Sequence, residues 1–228
     1  MERRNAWKTY TQEQLKELDQ INDRYKVCLD EGKTERECIR LTVKEIEKQG
    51  YRNLNDIKGS LKTGDKVYAV CMGKSIAMFR IGKEPLENGM NILGAHIDSP
   101  RIDVKQNPLY ESEGFTLADT HYYGGIKKYQ WVTIPLSLYG VVCKKDGTVV
   151  DVVIGEDEND PVVGISDLLI HLSADQLDKK AAKVIEGENL DVTLGNMPLF
   201  GEEKDAVKAN VLKLLKERRK LDIIKGFT

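Results

Sequence analysis

An α/β fold followed by a β-rich unit is the class this sequence predicts, on three observations. Helical periodicity fills residues 1–50, strand periodicity takes over from Lys66, and short strands and turns dominate after Pro100. At 228 residues the chain can form one large domain or two small ones, with enough core to fold unaided. The expected boundary divides residues 1–100 from residues 101–228.

The first helix opens at Thr11-Gln12-Glu13-Gln14, a capping-box start, and continues through Leu15, Leu18, Ile21, Tyr25 and Leu29 to Gly32. Thr34-Glu35-Arg36-Glu37 opens a second helix by the same device; its apolar face gathers Cys38, Leu41 and Ile46, with Ile39 and Val43 alongside, and Gly50 closes it. Residues 67–72 and 75–81 alternate about Gly73-Lys74 as a hairpin. The apolar run Asn91-Ile92-Leu93-Gly94-Ala95 reads as a buried strand, stopped by Ser99-Pro100 because proline cannot donate to a ladder. Further strands are expected at residues 102–105, 115–117, 131–138, 139–143 and 149–154, with turns at Gly124-Gly125 and Asp146-Gly147. Residues 156–161 read as an exposed acidic loop, Gly187-Glu188-Asn189 and Gly195-Asn196 as turns, and residues 205–221 as a helix through Val207, Val211, Leu214 and Leu215, with basic residues in its last turn. Two helices and three strands before residue 100 cannot cover both faces of a sheet that ends in a buried strand, so the α/β part reads as incomplete.

Composition excludes several classes. A formal net charge of −2 leaves no electrostatic footprint for nucleic acid or an anionic membrane surface. No apolar stretch approaches a membrane span, and no apolar segment follows Met1-Glu2-Arg3-Arg4-Asn5 to make a signal peptide. Cys28, Cys38, Cys71 and Cys143 are scattered without Cys-x-x-Cys spacing, so reduced thiols in a cytoplasmic protein are expected rather than a zinc knuckle or a disulfide framework. Nucleophile-elbow, dinucleotide and phosphate-loop glycine patterns do not occur.

The residues that carry chemistry are His96 and Asp98. At the carboxyl end of a strand, where open α/β sheets place ligands, alternation puts both side chains on one side. A carboxylate beside an imidazole fixes the ring of a metal-binding histidine, although the same pair also occurs as a purely structural hydrogen bond. His171, within Leu169-Ile170-His171-Leu172, reads locally as a packed core histidine; His121, in a turn-rich stretch, reads as structural, and Trp131 with its neighbouring tyrosines reads as core or interface.

Together with its flanks, Gly94-Ala95-His96-Ile97-Asp98-Ser99-Pro100-Arg101 resembles the first metal motif of the aspartyl-aminopeptidase-like family of two-metal aminopeptidases. Thr120-His121-Tyr122-Tyr123-Gly124-Gly125-Ile126-Lys127-Lys128-Tyr129-Gln130-Trp131 is similar to a bacterial branch of that family. Asp167-Leu168-Leu169-Ile170-His171-Leu172 is similar to its Ile-His-Leu segment, and Asn210-Val211-Leu212 also fits. The resemblance implies a partial three-layer zinc-peptidase-like catalytic domain in residues 1–100 and an inserted β-rich dimerisation domain in residues 101–228.

It also implies hydrolysis of N-terminal residues, acidic ones by the family name, from peptides by metal-activated water. The cofactor would be two divalent ions, zinc first and cobalt or manganese as alternatives. His96 would be a metal ligand and Asp98 the acid that orients it; His171 would help hold substrate in a neighbouring subunit's site, within a homo-oligomer built through the β-rich domain. The family's bridging carboxylate, its paired glutamates and its remaining ligands find no match in the sequence. The chain therefore reads as an N-terminal half, from truncation or a split gene, and the alternative is a non-catalytic assembly module. A related deblocking or glutamyl aminopeptidase is the third reading.

Overall fold

Thr11 and Gln14 close the first helix as the sequence predicts: the Thr11 hydroxyl accepts from the Gln14 N–H at 3.3 Å, and the Gln14 side chain accepts from the Thr11 N–H at 2.9 Å. The computed structural model describes residues 3–219, and these divide into two compact units at Ser99 and Pro100. In the first unit, α1 spans Gln12–Glu31 and α2 spans Glu35–Lys48. At the start of α2 the Glu37 carboxylate accepts from both the N–H and the hydroxyl of Thr34. Ile39 and Ile46 are the buried residues of α2, whereas α1 buries none, and Ile21, Tyr25 and Leu29 stay more than half exposed.

Three strands follow: β1 (Arg52–Asn53), β2 (Lys66–Cys71) and β3 (Ser75–Arg80). β1 runs parallel to β2, and β2 and β3 form the predicted hairpin, in register from Lys66↔Arg80 to Cys71↔Ser75. Val67 and Tyr68 are its buried residues, and the Tyr68 hydroxyl donates to Glu47 of α2 at 2.7 Å, tying the sheet to the helix.

The second unit is β-rich. β4 (Arg101–Ser112) and β5 (Phe115–Tyr123) form a long hairpin around Glu113-Gly114, both with positive φ (50° and 78°), the two-residue geometry that matches strand twist. Both strands run well past the predicted 102–105 and 115–117. Pro108 lies inside β4, and the register slips between Val104 and Leu109, where a bulge absorbs the residue that cannot donate.

β6 (Pro135–Leu136), β7 (Leu138–Cys143), β8 (Val149–Ile154), β9 (Val163–Gly164), α3 (Ala174–Leu177), β10 (Val192–Gly195) and α4 (Ala206–Arg219) complete the unit. One sheet has the order β4-β5-β10-β9-β6, and β7 pairs with β8 in a separate two-stranded ribbon. The core beneath the larger sheet gathers Ala118, Val132, Val163, Ile165, Ile185, Leu190 and Val192, with Trp131 packed against its margin. α4 lies against β4, β5 and β10 through Val207 and Val211.

Several expectations are corrected. Residues 91–95 form no strand: they carry no ladder bonds, and Ile92 and Leu93 are 78% and 100% exposed. Apolar content alone does not make a strand; its N–H and C=O groups need a neighbouring edge, and β1–β3 do not extend to this run. The expected strand at 131–138 breaks into bends over residues 131–134, the short β6 and the start of β7, with Thr133 at φ 62°. β9 and β10 were not expected. The last helix is described as far as Arg219, so the predicted residues 220–221 lie outside the described residues.

Candidate functional site

Residues 89–100 have no regular structure, so His96 sits on an irregular strap rather than at a strand end. The expected side-by-side placement of His96 and Asp98 nevertheless holds. His96 Nδ1 lies 3.2 Å from Asp98 Oδ1 and 3.1 Å from the Asp98 backbone oxygen. A carboxylate and a carbonyl oxygen only accept, so these partners assign the ring proton to Nδ1. In the neutral ring the lone pair then resides on Nε2, on a side chain that is 85% exposed. This tautomer leaves Nε2 open to ligate a metal, with a carboxylate behind the ring.

A metal needs more than one such donor. Among the described residues no group of three or more His, Cys, Asp or Glu side chains comes together. His96 therefore fits a single ligand position, and the described residues do not complete a coordination shell around it.

His171 lies in the second unit, in the 3-10 turn Ile170–Leu172. It is exposed, which overturns the packed-core reading; Leu168, Leu169, Ile170 and Leu172 beside it are 55–70% exposed. The turn is nonetheless well tied. Asp167 Oδ1 accepts from the Leu168 N–H and from Gln176 Nε2, both at 2.8 Å, and the Ser173 hydroxyl donates to the Ile170 carbonyl at 3.0 Å. Fixed from below, the segment presents its apolar side chains and one imidazole outward. His121 is exposed as well, with Nδ1 3.2 Å from the Tyr122 carbonyl oxygen, a local contact with no chemical partner set around it.

Two polar clusters of the second unit had no signal in the sequence, because each joins residues distant along the chain. The Tyr110 hydroxyl donates to Asp191, whose other oxygen accepts from the Thr120 N–H at 3.2 Å, while the Thr120 hydroxyl donates to the Leu190 carbonyl at 2.6 Å. Burial, then Asp191, pushes the Tyr110 phenol up to about 12. Lys105 Nζ sits 2.8 Å from Asp119 and 3.3 Å from Glu188; its bond to Asp119 raises its pKa despite some desolvation. Both clusters pin β4 and β5 to the segment around β10.

Comparison with known proteins places these residues in context. The family model described as "Aminopeptidase I zinc metalloprotease (M18)" matches residues 28–225. The "Probable M18 family aminopeptidase 1" of Clostridium acetobutylicum is 58% identical over 221 residues, 95% of this chain and 48% of the relative. The crystal structure of aminopeptidase I from the same organism superposes with a TM-score of 0.85 at 55% identity, covering all of this chain and 50% of that one. The Thermotoga maritima M18 aminopeptidase gives a TM-score of 0.88 at 44% identity, over 97% of this chain and 48% of that one. The chain thus spans about half the length of the relatives it matches. On the extent of that family match, with a mixed α/β fold shared with its solved members, this chain belongs to the M18 family of aminopeptidase I zinc metalloproteases.

Proposed function

We propose that this chain works as the amino-terminal portion of a cytoplasmic metalloaminopeptidase that releases N-terminal residues, acidic ones among them, from peptides. The observation that carries the reading is the ring of His96: Nδ1 is held by two acceptors of Asp98, which leaves Nε2 as the ligating nitrogen, in a chain that matches the M18 model over residues 28–225. His96 is the metal ligand in this reading, and Asp98 is the positioning residue that fixes its tautomer. Zinc, the ion of the family's name, would supply Lewis acidity for hydrolysis when bound; cobalt and manganese are the alternatives a metal analysis would reveal. The second ion and the remaining ligands would come from sequence that matches the other half of the relatives.

Residues 1–100 would open the catalytic domain, and residues 101–228 would form the dimerisation domain of a homo-oligomer. His171 would contact substrate in a neighbouring subunit's site. Its exposure on a well-tied turn, among exposed leucines, supports that role.

Co-expression with a polypeptide carrying the second half of the Clostridium acetobutylicum relative tests the reading. The complex should hold divalent metal and cleave Asp, Glu, Leu or Lys p-nitroanilides, with the rates across the four giving the preference. His96→Ala should remove both properties, and Asp98→Asn should weaken metal binding about 10- to 100-fold. A folded complex without metal or turnover would overturn it.

A second reading is supported by the lack of any three-residue ligand cluster among the described residues: the chain acts alone as a non-catalytic assembly module. A stable oligomer of this chain that binds no metal, and that stays inactive with the complementary half, would favour that reading instead.

A further inference from the structure

The irregular strap that carries His96 opens at Asn88-Gly89, the one place in the chain where glycine follows asparagine. Every other asparagine precedes a residue with a side chain, which hinders attack by the next backbone nitrogen. Asn88 ends the three-residue 3-10 turn Leu86–Asn88, and residues 89–100 beyond it have no regular structure. Both residues are exposed; Gly89 adopts φ 94°, and nothing beyond its chain neighbours lies within 4 Å of where its side chain would be. The turn is held by the Asn88 N–H on the Pro85 carbonyl at 3.0 Å and the Gly89 N–H on the Leu86 carbonyl at 2.9 Å. A single exposed turn of this kind opens by local fluctuation while the rest of the fold stays intact. We propose that Asn88-Gly89 is a self-modification site, where the Gly89 nitrogen displaces the Asn88 amide and the imide so formed hydrolyses to aspartate and isoaspartate.

The steps balance without any oxidant. The Gly89 nitrogen gives its proton to solvent and bonds to Asn88 Cγ; the Cγ–Nδ2 bond breaks, and Nδ2 takes a proton from water and leaves as ammonia. Water then opens the imide at one of its two carbonyls. Cleavage of the new N–Cγ bond gives aspartate; cleavage of the original peptide bond gives isoaspartate, whose main chain runs through Cβ and Cγ. Either product adds a negative charge at the root of the strap, and isoaspartate also lengthens the backbone there by one atom. Asp146-Gly147 is the nearest rival in sequence, but the structure guards it. Asp146 Oδ1 accepts from the Thr148 N–H at 2.9 Å, a bond that lowers the pKa of its carboxyl. The ionised carboxylate resists attack by an amide nitrogen and has no ammonia to release.

Peptide mapping of the 228-residue chain tests the site. Trypsin releases residues 84–101 as one peptide, which also carries Asn91 with isoleucine after it as an internal control. After incubation of the folded chain in mildly alkaline buffer, and against an unincubated sample, this peptide should gain the mass of OH in place of NH2. Electron-transfer fragmentation should put the change at residue 88, with isoaspartate the more abundant product. A synthetic peptide of residues 84–101 incubated alongside gives the rate of the unrestrained sequence. The folded chain should convert within about tenfold of that rate, because exposed turns open at little free-energy cost. Asn88→Gln should lose the species and keep the far-UV circular dichroism of the parent. Conversion of the peptide while the folded chain keeps its amide would overturn the proposal, and so would a change placed at Asn91 rather than Asn88. Neither outcome depends on metal or peptidase activity.

Discussion

Thr116 buries its hydroxyl completely, at the second position of β5, and finds no hydrogen-bond partner for it among the described residues. An unsatisfied buried hydroxyl costs on the order of 1–3 kcal/mol, and valine has the same shape without that cost. Thr116→Val should therefore stabilise the chain by about 1 kcal/mol, read as a higher urea midpoint with an unchanged slope. Tyr110 sets a pH dependence. Its phenol is raised from 10.0 to about 12 in the folded chain, so folding favours the protonated form. Its contribution is fully present below pH 10 and is lost as pH rises toward 12. Stability measured across that window should fall with pH, and Tyr110→Phe should flatten the fall. His96 shows how far a site can be read at this scale. Its pairing with Asp98 was legible, because a carboxylate two residues on can reach the ring. Which nitrogen keeps the proton was not, because the Asp98 carbonyl also turns back onto Nδ1.

Helix α4 owes its start to a residue almost a hundred positions away. The Glu111 carboxylate on β4 accepts from the Val207 and Lys208 N–H groups at 3.0 and 2.9 Å, placing negative charge on the helix's positive end. Glu111→Ala should cost about 1–3 kcal/mol and speed hydrogen exchange of the first-turn amides of α4, while Glu111→Gln should keep part of the bond. Elements whose determinants lie within a few residues were legible: both capping boxes, the β2–β3 hairpin, the β7–β8 pair and the apolar period of α4, though not its cap. Elements defined by distant partners were not. β9 is only Val163–Gly164, and β10 pairs with it through Thr193↔Gly164 alone, too short for any period to register. The opposite error befell residues 91–95, where a strand-like composition has no edge to join, and 131–138, where Thr133 adopts a left-handed turn. The same division governs the candidate site: His96 and Asp98 are local, whereas the exposure of His171 follows from a turn tied to Gln176 through Asp167.

The described residues form two compact units that meet at Ser99 and Pro100, and among them the second has the broad five-stranded sheet with a core of its own. The composition changes at Pro100: the first part alternates helix and strand patterns, while the second is strands and turns. The uncovered apolar side chains of α1 and of residues 90–93 were not readable, because the sequence shows which residues are apolar and not which of them find cover. The β7–β8 ribbon bears on how such a molecule behaves in concentrated solution. It joins no other strand among the described residues, so its outer edges are open. β8 reads Val149-Val150-Asp151-Val152-Val153-Ile154, five β-branched residues interrupted by one exposed aspartate. Without that charge the segment meets the description of a fibril-forming hexapeptide. Asp151→Val should give sedimentable, thioflavin-positive material at concentrations where the parent protein stays dispersed; a clear solution of the variant would count against it. The carboxylate of Asp151 is then a gatekeeper against self-templated aggregation, a role separate from any part the chain plays in peptide hydrolysis.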